Sequence, residues 1–287
     1  MTVTISLFLI FIFYDKTDGK KEKPCRNIIS TAPSITESLC AMDLCDRISG
    51  VTKHCDYPPA VEQLPSVGTY TNINPESVIS LNPDTIITFN ENQKLIEKAS
   101  VMNIRTVTLN HNTTPGLLES FHEIGSVCEK EEEAGKLINK IQKKLKNITE
   151  RCRRHKPVKV MIVLGRCLSC DRPEDIYVAG KSGFYEDLIY AAGGKNVFEK
   201  TELPFPRIAT ESLISANPDV IIEIIPHKIE NDEKQRLIST WQTFKTLSAV
   251  KNGRIHILTE RYLKRPGPEI HKAAELLCSV LHSDDRD

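Results

Sequence analysis

At 287 residues, with 40% hydrophobic and 26% charged residues, the chain has the composition of a soluble globular protein with room for two lobes, not of a disordered or multi-span membrane protein. Lys and Arg together number 38 and so do Asp and Glu. With no net charge there is no global field to draw in nucleic acid or an anionic membrane, so any recognition has to be local.

The first residues carry an apolar run over 3–14, too short for a comfortable membrane span and of the length of a signal h-region. No Lys or Arg precedes it and no small-residue cleavage site follows, so residues 1–25 are read as a signal-like or anchor segment with a polar linker. Cys25 follows Lys21-Glu22-Lys23-Pro24, which is not the small apolar set that precedes a lipidated cysteine.

Runs rich in β-branched residues predict strands at 27–30, 48–51, 106–109, 159–164 and 255–258, each beside a helical pattern, which is the alternation of an α/β lobe. The strongest signal is an internal repeat. Residues 76–87 (ESVISLNPDTII) recur as 211–222 (ESLISANPDVII), offset by 135 positions and identical at nine of twelve. Each copy reads as a short helix opening near a Glu, stopped by Asn-Pro, because the residue before Pro resists helical geometry, then a strand. Between the copies, 129–154 places Leu137, Ile141, Leu145, Ile148 and Cys152 at steps of three and four, the apolar stripe of one amphipathic helix about 39 Å long. The expected organisation is an N-terminal α/β lobe over 26–127, a connecting helix over 128–156 and a C-terminal α/β lobe over 157–287.

Nine cysteines, an odd and scattered set, do not read as a dense disulfide framework, and several are expected to be plain buried thiols. Cys167-Leu-Ser-Cys170 has redox spacing and reads as a local disulfide or two free thiols. A thiol-redox role for Cys167 and Cys170 would need a low-pKa thiolate at a helix start, whereas this segment reads as a loop after a strand with Asp171 adjacent. His54, His111, His122 and His227 are far apart and show no metal-ligand spacing, so no metal site is expected; His54 alone stands near other candidate binding residues, where it could meet a metal-bearing ligand from one side. There is no nucleophile elbow, Gly-x-Gly-x-x-Gly or phosphate loop, and the chain reads as a binding protein, not an enzyme.

Several segments carry a family likeness. They are 28–39 (IISTAPSITESL), 46–51 (DRISGV), 54–59 (HCDYPP), 193–198 (GGKNVF), 203–206 (LPFP) and 265–269 (RPGPE). Together they resemble the helical-backbone class of ABC-importer solute-binding proteins, and within it the vitamin B12 (cobalamin)-binding family. The resemblance implies two similar α/β sandwich lobes joined by one long backbone helix, with the ligand cleft between them. It implies a protein at the periplasmic or outer face of the cytoplasmic membrane. Its partners would be a corrinoid and the permease dimer of an ABC transporter; it would bind no cofactor beyond the transported ligand, and would meet the membrane only through its N-terminal segment or the transporter. Relatives with the same frame carry haem, ferric siderophores or chelated metal, which stand as the alternative cargo.

Residue by residue, Tyr57 matches a ligand-contacting aromatic, beside Asp56 in an exposed turn. Tyr70 and Phe205 fall where the family has tryptophans facing the ligand from opposite lobes, and Tyr177 lies in a loop where another ligand-facing ring belongs. Flat rings suit a corrin, which is broad, apolar on its faces and fringed with amides. Glu76 and Glu211 match the acidic pair that docks onto the two permease subunits; a Glu in a first helical turn also complements the helix dipole wherever it occurs.

Overall fold

The computed structural model describes residues 25–181 and 183–282. The N-terminal apolar run lies outside the described residues.

In the first lobe β1 (Ile28–Ser30) leads through α1 (Pro33–Ala41) to β2 (Ile48–Val51). A hairpin of β3 (Gly68–Thr69) and β4 (Asn72–Ile73) comes before α2 (Pro75–Ser80), and β5 (Thr85–Phe89), α3 (Gln93–Val101), β6 (Arg105–Leu109) and α4 (Thr114–Cys128) complete it. The sheet order is β2-β1-β5-β6, all parallel. β1 and β5 are buried at every position, which is why they carry no exposed polar face and their few polar residues, Ser30, Thr85 and Thr88, are themselves buried.

The chain then enters α5 (Glu131–Cys152), whose 22 residues span about 33 Å. The predicted helix over 129–154 starts late because Glu129 takes the left-handed conformation, with φ of 57°, that ends α4. Lys130 N–H then bonds back to the Gly125 carbonyl at 2.7 Å. A Cβ on Gly125 would lie 2.7 Å from that of Ala134, so the glycine lets α4 and α5 pack closely. Ala134, Leu137, Ile141, Ile148 and Cys152 are buried along one stripe, and Glu131, Glu132 and Glu133 complement the dipole in the first turn.

The second lobe runs β7 (Val158–Gly165), β8 (Ile176–Val178), α6 (Phe184–Ala191), β9 (Gly194–Asn196), β10 (Arg207–Ile208) and α7 (Thr210–Ala216). It continues with β11 (Val220–Ile224), α8 (Asn231–Thr240), α9 (Ser248–Lys251), β12 (Ile255–Leu258) and α10 (Ile270–Leu281). Parallel strands β9, β7, β11 and β12 repeat the first lobe's plan, and antiparallel β8 and β10 extend it. One apolar core runs from Ile28 and Phe121 through Ile141 and Ile148 to Ile189 and Leu277, so the backbone helix is packed into both lobes.

The two repeats do the same backbone work. Asn82 and Asn217 both adopt positive φ, and Asp84 and Asp219 each bond through N–H and carboxylate to the first strand of their lobe, at Asn27 and Lys159. The cysteines correct the expectation of plain buried thiols. Disulfides join Cys25 to Cys128, Cys40 to Cys45, Cys152 to Cys278 and Cys167 to Cys170, leaving buried Cys55 free. Two of the pairs span 103 and 126 residues, a separation at which spacing carries no pairing signal. The sulfur of Cys25 is bonded to Cys128, in keeping with its unsuitable leader for lipidation.

Candidate functional site

Loops at the carboxyl ends of β5, β6, β11 and β12 face one another across the seam between the lobes, the usual place for a ligand on parallel sheets. Two adjoining cavities of about 590 and 680 Å³ lie there, sharing Tyr70, Glu91, His111, Pro226 and Lys264 as walls. They form one cleft.

The first lobe contributes a row of rings. Tyr70, on the β3–β4 turn, meets Phe89 edge-on at 6.0 Å between centroids, and Phe89 meets His111 edge-on at 5.0 Å. The row descends from exposed Tyr70 to buried His111, with Asn90, Asn110 and Asn112 beside it. Burial, reinforced by the charge of Glu91, raises the Tyr70 hydroxyl above its ordinary value. The second lobe presents Leu164, Phe184, Phe205 and Ile224, with Phe205 55% exposed and free to meet a ligand.

Charges flank the cleft as satisfied pairs. Arg265 donates to Asp56 at 2.5 Å and to the His54 carbonyl at 3.2 Å, joining the lobes. Its hydrogen bond holds the Asp56 carboxyl below the ordinary range. Glu37, buried in α1, ion-pairs with Arg261 at 2.6 Å and Arg265 at 3.2 Å; even so, burial keeps its pKa above the usual carboxylate value. Arg261 also covers the face of Tyr57 at 3.7 Å and pairs with Glu269. Lys264 lines both cavities and donates to the Pro226 carbonyl at 2.7 Å; burial, then Arg265, lowers its pKa.

Tyr70, Phe205 and Asp56 are thus brought to one cleft. Tyr57 is not among its lining residues; it is exposed, with Arg261 over one face of its ring. Tyr177 sits on β8 opposite Arg207, 46% exposed and also outside the lining. The loop reading for Tyr177 gives way to a strand, β8, paired by backbone bonds with β7 on one side and β10 on the other. Phe89, His111, Lys264 and Arg265 were not assigned to the site from sequence; the signal that could have found the first two is their position at the ends of predicted strands. His54 lines the cleft, and no His, Cys, Asp and Glu cluster fit for a metal occurs among the described residues.

Glu76 and Glu211 open α2 and α7 and are exposed. Glu76 is capped by Asn74, which accepts its N–H at 2.9 Å, and is ion-paired with Lys98, whose hydrogen bond lowers the Glu76 pKa. Glu211 has no ion pair among the described residues. No described helix is long and apolar enough to cross a membrane.

A family model described as periplasmic binding protein matches residues 28–262. The vitamin B12-binding protein of Vibrio cholerae is 26% identical over 273 residues, covering 94% of both chains. Among solved structures, the periplasmic vitamin B12-binding protein of Vibrio cholerae superposes with a TM-score of 0.78 at 22% identity, over 92% of this chain and 99% of its own. A periplasmic haem-binding protein of Pseudomonas aeruginosa reaches 0.77 at 20% identity, over 90% and 93%. The structural likenesses are to the fold.

Proposed function

The chain belongs to the periplasmic binding protein family, and on that premise we propose that its cleft captures a corrinoid and delivers it to an ABC importer. The family binds a substrate outside the cytoplasm for transport and performs no catalysis; its ligand is cargo, not a cofactor. What carries the corrinoid reading is the character of the cleft: rings from both lobes, asparagine amides, and charges that largely cancel. Asp56 is met by Arg265, and Glu91 and Lys264 add one charge of each sign to the lining. Such a wall suits a broad ligand with apolar faces and a neutral amide fringe. Haem carries two carboxylates and would seek a pair of free cations, whereas among the described lining residues Arg265 is taken by Asp56 and Glu37, leaving Lys264 as the one ammonium without a carboxylate partner. The full-length relative that bears the vitamin B12 name supports the same reading.

A second reading, haem, draws on the two cleft histidines, His54 and His111, as groups able to meet a metal. Calorimetric titration with cyanocobalamin and with haemin decides between them. The expected result is one cyanocobalamin per chain; absence of heat at millimolar cyanocobalamin refutes the corrinoid reading, and a Soret shift with haemin replaces it.

Glu76 and Glu211 serve, in this reading, as docking points for arginines of the two permease subunits. Duplicated lobes facing a two-subunit permease account for a glutamate at the same place in each repeat.

A further inference from the structure

His111 is 4% exposed, lines both cavities of the cleft, and is the innermost ring of the row that begins at Tyr70. Its Nδ1 lies 3.2 Å from the Ser34 hydroxyl. Its Nε2 is buried with no hydrogen-bond partner. The Pro266 carbonyl of the opposite lobe lies near the ring and works against burial by favouring its charged form, but it does not meet hydrogen-bond geometry at Nε2. Buried polar atoms are nearly always paired, and leaving one unpaired costs free energy that a plain hydrophobic residue here would not. An unsatisfied nitrogen in the wall of a binding cleft is therefore accounted for by a group that arrives with the ligand.

We propose that His111 is a specificity-determining ligand contact, presenting Nε2 to a carboxamide on the ligand's edge; the chemical class rests on the corrinoid reading above. The carboxamide follows from the ring's two possible states. If the Ser34 hydroxyl donates to Nδ1, Nε2 carries hydrogen and donates; if Nδ1 donates to Ser34, Nε2 accepts. A primary amide satisfies either, whereas a carboxylate satisfies only the first. Burial pushes the His111 pKa down to about 3, so the imidazole stays neutral and attracts no anion.

The test uses two variants of the full chain. Ser34→Ala with His111→Phe keeps a ring in place and orphans no hydroxyl; His111→Gln retains an amide able to reach like Nε2. Cyanocobalamin affinity should fall about tenfold in the double variant, the scale of one lost buried hydrogen bond, and return to within about threefold in His111→Gln. The melting temperature of the unliganded double variant should equal or exceed that of the wild type, because an unpaired buried atom has been removed. Wild-type affinity in the double variant, or no recovery in His111→Gln, overturns the assignment. If the wild-type protein binds no cyanocobalamin, the corrinoid reading fails, and the melting comparison still judges His111: a lower value makes the ring structural and overturns the proposal, a higher one keeps it as a contact for another ligand.

Discussion

The strands in which the two repeats end place different chemistry at matched positions. In the first lobe Thr88 is buried in β5 and takes a hydrogen bond from the Thr31 hydroxyl at 2.9 Å. In the second, 135 positions later, Glu223 is buried in β11, bonded by Arg166 Nε at 2.8 Å and by the Trp241 indole N–H at 3.1 Å. Arg166 also donates to the carbonyls of Cys167 and Leu237. The backbone around both sites is alike, so the frame tolerates a neutral pair or an ion pair. The difference is in what happens when one partner is lost: a hydroxyl deprived of its mate gives up little, a buried guanidinium deprived of its carboxylate gives up much. At the surface the lobes differ again, with Glu76 already neutralised by Lys98 and Glu211 without an ion pair among the described residues.

The largest effect that could break this comparison is on stability. Glu223→Ala should cost about 3–5 kcal/mol, against about 1 kcal/mol for Thr88→Val. Urea unfolding followed by the fluorescence of Trp241, the chain's single tryptophan, reports on the second lobe directly; equal costs would mean that the ion pair is no more demanding than the hydroxyl pair. Next comes the cleft, where Tyr70→Ala and Phe205→Ala should each weaken cyanocobalamin binding by about 1–3 kcal/mol without unfolding either lobe. Tyr177→Ala should leave binding unchanged, and calorimetry on the three variants would expose a one-sided site if only one wall responded. A smaller contrast is expected in delivery. Glu211→Gln should reduce uptake in cells carrying the matching importer a few-fold more than Glu76→Gln, since Glu76 must first part from Lys98, and Lys98→Gln should narrow that gap. Uptake equal to wild type in both glutamate variants would return them to the role of helix starts.

The smallest effect concerns the seam between the lobes. Arg265 depresses the Asp56 pKa below 3.8, so Asp56 stabilises the fold above that pH and ceases to as pH falls through its lowered folded value. Asp56→Asn should therefore lower the melting temperature slightly at neutral pH and leave it unchanged once the pH lies well below 3.8. A gap that persisted in acid would assign Asp56 a role other than its ion pair.

Much of the frame was legible beforehand because it rests on local rules. The strands at 48–51 and 255–258 match to the residue, and the stripe from Leu137 to Cys152 is a single buried helix face. The break at Glu129 was not legible, since a left-handed residue between two helices carries no Gly or Pro to announce it. The long disulfides depend on which helices pack together, and Thr88 and Glu223 differ within otherwise similar strands. In the cleft, Tyr70 and Phe205 stood out through the family resemblance, which sets rings at those places in opposite lobes. Phe89 and His111 look like core in the sequence, and only the opposite lobe reveals that they border a cavity.

The disulfides from Cys25 to Cys128 and from Cys152 to Cys278, at sequence separations of 103 and 126, close each lobe into its own covalent ring. The segment from 129 to 151 is the single covalent bridge between the rings. Topologically the molecule is a dumbbell: a protease that cuts one loop in either ring leaves a chain that still migrates as one piece on a non-reducing gel, while a cut in the bar between them releases two halves.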